Sequence, residues 1–177
     1  MGFLSGIGDI LNKFSGANAN TNPGNAEETG AQFEQVAKAV PSSSVASGLA
    51  EAFCSGNTPP FSQMASQLFS NGDGAQKATM LTTLLSAAGP SLLSKLGGSS
   101  PALASLLQSG QTSVTPEQAA KVDPQQVQAL AEHVHQADPS IIDKVSQVYA
   151  EHPTLVKTLG AAAMAIAMKK IAEHHQG

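Results

Sequence analysis

The chain has 177 residues, with nine Lys, no Arg, and thirteen Asp plus Glu, for a formal charge of −4. Charged residues make up 12% of it, where soluble domains carry roughly 25%. Trp is absent, with one Tyr and six Phe, so the chain lacks the basic face, Arg forks and stacking aromatics of a nucleic-acid binder and cannot build an Arg-clamped phosphate site.

Strand-like alternation of apolar and polar residues is nearly missing, while helical spacing recurs throughout. The expectation is an all-α protein: a compact bundle of short helices with an amphipathic N-terminal helix on a flexible linker. In residues 1–14, Phe3, Leu4, Ile7, Ile10, Leu11 and Phe14 fall on one helical stripe, opposite Ser5, Asp9, Asn12 and Lys13. Residues 15–29 follow, rich in Asn, Gly and Ala and without periodic apolar positions. They read as a linker.

Residues 30–177 read as one helical domain. Phe33, Val36, Ala37 and Val40 mark a helix ending before Pro41, and the Ser42–Ser44 cluster is placed to cap the next, with Val45, Leu49, Ala52 and Phe53 inward. Phe61, Met64, Ala65, Leu68 and Phe69 define a further helix, stopped at Asn71-Gly72. Asp73 is placed to cap another that buries Met80, Leu81, Leu84 and Leu85 and meets a break at Gly89-Pro90. Ser100-Pro101, Thr115-Pro116, Asp123-Pro124, Asp138-Pro139 and His152-Pro153 then each set a polar residue before a proline, the pattern of a cap followed by proline at the first helical position. Gln118 and Gln126 add the residue that a capping box wants. The last helix is expected from Pro153 to about Glu173, with Leu155, Val156, Leu159, Ala162, Ala163, Ile166 and Ala167 inward.

Chemistry-bearing residues are sparse. His133 and His135 are candidate metal ligands with His152, yet a two-residue spacing turns the first two rings to different sides of a helix; a zinc-binding helix uses i and i+4. Solvated polar positions are the simpler reading. Cys54, the one cysteine, falls at a helix C-terminus, where the dipole disfavours a thiolate, and reads as a small buried residue. No nucleophile elbow, phosphate loop or dinucleotide fingerprint is present. The chain therefore reads as no enzyme, with no catalytic residue, no cofactor and no evident small-molecule substrate.

Val114-Thr115-Pro116-Glu117-Gln118, then Val122-Asp123 with Val127 and Leu130-Ala131, resembles a segment of YidB-like bacterial proteins of unknown function. Ile141-Ile142-Asp143-Lys144, the opening Met1-Gly2-Phe3-Leu4 and the small-residue stretch from Leu92 to Gly98 are similar in kind. The likeness spans residues 80–150 and departs at the Asn-rich linker and the Ala-rich C-terminus. It implies a bacterial, largely helical, cytoplasmic protein with no established catalytic residues.

The N-terminal stripe carries most functional information, because full burial of such side chains stabilises by roughly 1.5–3 kcal/mol each. Three destinations are open: the chain's own domain, a groove on a neighbouring copy, or a lipid interface. The expected function is a non-enzymatic structural or interaction protein that forms a homo-oligomer, using Phe3, Leu4, Ile7, Ile10, Leu11 and Phe14. The alternative is a peripheral membrane protein anchored by the same stripe, although membrane-surface helices are usually richer in Lys. A metal-binding protein using His133, His135 and His152 is the third reading. The opening lacks the basic segment of a secretory leader, and no apolar run exceeds about half a bilayer span. The expected location is the cytoplasm, with a membrane surface as the alternative.

Overall fold

A computed structural model describes Gly6, Gly8 and Asp9 and residues 26–98, 101–109 and 113–176. The protein is all-α, with no strand among the described residues. From residue 26 onward the helices are α1 (Ala26–Ala39), α2 (Ser42–Cys54), α3 (Phe61–Asn71), α4 (Gly74–Gly97), α5 (Pro101–Gln108), α6 (Pro116–Ala119), α7 (Pro124–Ala137), α8 (Ile141–Ala150), α9 (Pro153–Val156), a 3-10 turn (Lys157–Leu159) and α10 (Ala161–Gln176). They gather into two compact units, one of residues 1–60 with 146–177 and the other of residues 61–145. The sequence reading of 30–177 as a single domain lacks this division.

In the first unit, α10 packs on α2 and α1, and α9 and the 3-10 turn pack on α1. Helix α1 starts at Ala26, inside the stretch read as linker, because Glu27 and Glu28 occupy its first turn and suit the positive end of the helix dipole. Thr29 is already buried. Pro41, not the serine cluster, holds the N-cap position of α2 with φ −58° and ψ 145°. Its carbonyl accepts the N–H groups of Ser44 and Val45 at 2.9 and 3.3 Å, so Ser42–Ser44 become the first turn and no side chain caps it. At the other end the Thr58 hydroxyl donates to the Ala52 carbonyl at 2.6 Å. The contact between α2 and α10 is close: a Cβ on Gly48 would stand 2.5 Å from the Ala167 carbonyl oxygen and 3.0 Å from Ile171 Cγ1.

The expected single C-terminal helix is in fact three elements. Gly160 adopts φ +97°, a conformation open mainly to glycine, and it ends the 3-10 turn before α10 begins. Inward positions continue across the break in steps of four from Leu155 and Val156. Ala163, Met164, Ala167, Met168, Ile171 and Ala172 are buried. Ala162 is exposed and Ile166 half-buried, contrary to their expected inward placement.

The second unit is built on the pairing of α3 with α7, with α4 packed on α3, α5, α6 and α7. Phe61, Met64, Ala65, Leu68 and Phe69 on α3 are buried as expected, and so are Val127, Leu130, Ala131 and Val134 on α7. The caps at Asp73, Thr115 and Asp123 match the sequence pattern. The N–H of Gln76 donates to Asp73 Oδ1 at 2.9 Å while Gln76 Oε1 accepts the Asp73 N–H at 3.0 Å. Thr115 and Gln118 form the same reciprocal pair at 3.3 and 3.0 Å. Gln126 Oε1 accepts the Asp123 N–H at 3.2 Å. Each pair satisfies donors that a helix start leaves free. Gly89, at φ +68° and ψ 163°, interrupts α4 immediately before Pro90. Helix α8 starts at Ile141 rather than Pro139, because Asp138 Oδ1 accepts both the N–H and the hydroxyl of Ser140, at 3.1 and 2.6 Å, and holds Pro139-Ser140 in a turn.

Candidate interaction surface and polar sites

Phe3, Leu4, Ile7, Ile10, Leu11 and Phe14 lie outside the described residues, as does most of the expected linker. Gly6, Gly8 and Asp9 are described, helical and exposed.

The three candidate metal ligands have different surroundings. His133 is exposed on α7 and His135 half-buried, with its ring tilted 47° to that of Phe61 and the centroids 5.7 Å apart. His135 Nδ1 is buried without a hydrogen-bond partner among the described residues. His152 belongs to the other unit and sits at the N-cap of α9 without a side-chain capping bond. No group of three His, Cys, Asp or Glu able to hold a metal ion occurs among the described residues. Cys54 is exposed, against the expectation of burial: as the last residue of α2 it follows buried Ala52 and Phe53 and turns outward.

Two acidic groups are tuned by their neighbours. Glu34 on α1 accepts from Lys157 Nζ at 2.6 Å and from Lys38 Nζ at 2.8 Å. The Lys157 bond, then the Lys38 bond, brings its carboxyl down to about 2. The Lys157 stem also lies over Gly30, where a Cβ would stand 3.1 Å from Cδ, so this contact ties the 3-10 turn to α1. Asp138 is held below the usual carboxylate range, first by the Ser140 hydroxyl, with Lys144 3.3 Å away.

Tyr149, the one tyrosine, is fully buried on α8. Its hydroxyl has no hydrogen-bond partner among the described residues, and burial pushes its ionisation well above the ordinary phenol range. Sequence reasoning gave it no role; a lone aromatic on the inward side of a periodic helix was the available signal.

Among the side chains described, the large apolar ones are buried except for Leu92, Leu93, Val148 and Ile166, which are half-buried. The described surface is otherwise Ala, Ser, Thr, Gln, Pro and scattered charge. No described helix is long and apolar enough to cross a membrane. Fold and sites together define an all-α protein of two helical units. The chain matches no family model, no curated protein and no solved structure.

Proposed function

We propose that this protein is a non-enzymatic structural or interaction protein that assembles with copies of itself, its N-terminal apolar stripe docking on a neighbouring copy. The observation that carries the reading is the stripe of Phe3, Leu4, Ile7, Ile10, Leu11 and Phe14 beside helical units whose large apolar side chains are already buried or half-buried. Six such residues on a face opposite Ser5, Asp9, Asn12 and Lys13 require cover. Two further features support association. Charge is sparse, at 12% of residues, and a helix presented by one chain to a groove on another is a recurrent recognition mode. The cytoplasmic, bacterial character implied by the YidB-like segment belongs to the same proposal.

Light scattering on a sizing column tests it in the full-length chain. The expected result is a mass above the 18.0 kDa of one chain, falling to one chain when Ile7 and Ile10 are both changed to Asn, with helical circular dichroism unchanged. A wild-type protein that runs as one chain at every concentration overturns the reading. Flotation of that monomer with anionic vesicles would then assign the stripe to lipid.

A further inference from the structure

We infer that Asn71-Gly72, where α3 ends, is a site of spontaneous deamidation that is opened by fraying of one helical turn rather than by unfolding of the whole unit. Of the asparagines in the chain, Asn71 alone is followed by glycine. The pairing matters chemically, because the main-chain nitrogen of the following residue is the nucleophile that attacks the asparagine Cγ. A neighbour without a Cβ leaves that approach unobstructed. Asn71 is exposed, and Gly72 and Asp73 form the whole connection between α3 and α4.

The reaction needs only water as co-reactant. The Gly72 nitrogen bonds to Asn71 Cγ and closes a five-membered succinimide. The Cγ–Nδ2 bond breaks, and Nδ2 leaves as ammonia with the proton that the Gly72 nitrogen gives up. Water then adds to one of the two ring carbonyls. Cleavage of the bond from Cγ to the ring nitrogen gives aspartate at position 71; cleavage at the main-chain carbonyl gives isoaspartate, which carries one more carbon in the backbone.

Both reacting groups are tied down in the folded chain. Asn71 Nδ2 donates to the Gln67 carbonyl at 2.8 Å. The Gly72 N–H donates to the Leu68 carbonyl at 2.9 Å and to the Phe69 carbonyl at 3.3 Å. While these bonds last, the nitrogen keeps its proton and the amide is held one turn back along α3. All of them belong to the last turn of one helix, and helix ends open more readily than packed cores. Leu68 and Phe69, which anchor this end, are buried. The product also removes its own protection. Aspartate at position 71 has no N–H for the Gln67 carbonyl and sets a negative charge at the negative end of the helix dipole. Isoaspartate lengthens the backbone just before Asp73, which pairs with Gln76 at the start of α4.

The test ages the full-length wild-type chain at neutral pH, in buffer and in a urea series that stops short of its unfolding transition, beside a fully unfolded sample. Cleavage after lysine releases one peptide, from Lys38 to Lys77, that carries both Asn57 and Asn71. Fragment-ion mass spectrometry then compares the two sites in the same digest. The expected result is conversion at Asn71 at least tenfold faster than at Asn57 in the folded chain. Its rate should stay level through the urea series and rise only in the unfolded sample. Asn71→Gln, whose longer side chain disfavours the five-membered ring, should show no conversion at that position. Asn71→Asp should unfold at a lower urea concentration than wild type. Conversion at Asn71 no faster than at Asn57 in the folded chain would show that the turn does not open by itself. A rate that climbs steadily with urea below the transition would show that only global unfolding exposes the site. Either outcome overturns the inference, and an unchanged midpoint for Asn71→Asp overturns the loss of protection.

Discussion

The main helix contacts of the two units differ in how closely the helix backbones approach. In the second unit α3 packs on α7, and Phe61, Met64, Leu68 and Phe69 on the one and Val127, Leu130 and Val134 on the other are all buried; the stabilisation comes from large side chains removed from water. In the first unit, α2 and α10 meet where Gly48 faces the Ala167 backbone and where Ala52, Ala163, Ala167 and Ala172 are buried. Val45, Leu49, Met164 and Ile171 are buried on these helices too, but the close approach leaves no room for a side chain at Gly48. One contact is vulnerable to losing atoms and the other to gaining them.

The largest effect should come from Leu68→Ala, which opens a cavity between α3 and α7 and is expected to cost about 2–5 kcal/mol. Urea unfolding followed by circular dichroism measures it; a cost below 1 kcal/mol would mean that the surrounding side chains collapse into the space and that the contact is not close-packed. Next comes Gly48→Ala. Its new methyl would stand 2.5 Å from a backbone oxygen, so α2 and α10 must separate, at a cost of about 1–3 kcal/mol. In an exposed helix the same change would stabilise, since Ala outranks Gly there. A gain in stability for Gly48→Ala would therefore erase the contrast between the two contacts.

Tyr149→Phe sharpens the comparison further, because it removes an unpartnered hydroxyl from the first unit without changing shape. Deleting a buried unsatisfied group of this kind is neutral or stabilising, here by up to about 1 kcal/mol. A clear loss of stability would show that the hydroxyl is bonded in solution.

The smallest effect concerns Glu34. Its folded-state value is depressed from 4.5 to about 2, first by Lys157 and then by Lys38. The stabilisation is fully present above the ordinary carboxylate value and is lost as pH falls from there through about 2. Wild type should exceed Glu34→Gln at neutral pH by a small margin, as expected of partly exposed pairs, and the margin should shrink as the pH is lowered through that window. Urea midpoints across a pH series check this. A margin that does not change with pH would assign the difference to packing of the side chain rather than its charge.

Much of the fold was legible because it follows from local rules. The inward residues of α3 and the first half of α4 follow from 3.6-residue spacing, and the cap at Asp73 and the reciprocal cap of Thr115 with Gln118 need only residues within one turn. The misreadings arose where a local signal had a competitor. The serines after Pro41 lost the cap because Pro41 already stood at that position, and the early residues of α1 were read as linker because two glutamates gave no apolar period. Of the candidate sites, the histidine spacing in the sequence already argued against a shared ion, and the N-terminal stripe falls outside the described residues.

By itself the sequence determined an all-α chain, the positions of most helix starts, and the sparse charge and absence of Arg that bear on partners. These depend on composition and on interactions spanning a few residues. Only the tertiary structure decided that the helices gather into two units, that Gly160 divides the C-terminal segment, and that Ala162 and Ile166 face away from the interior. In a run as uniformly apolar as Leu159–Met168, periodicity carries no information about direction. Which side is buried is then set by the close passage of α2 at Gly48, a contact between residues more than a hundred positions apart.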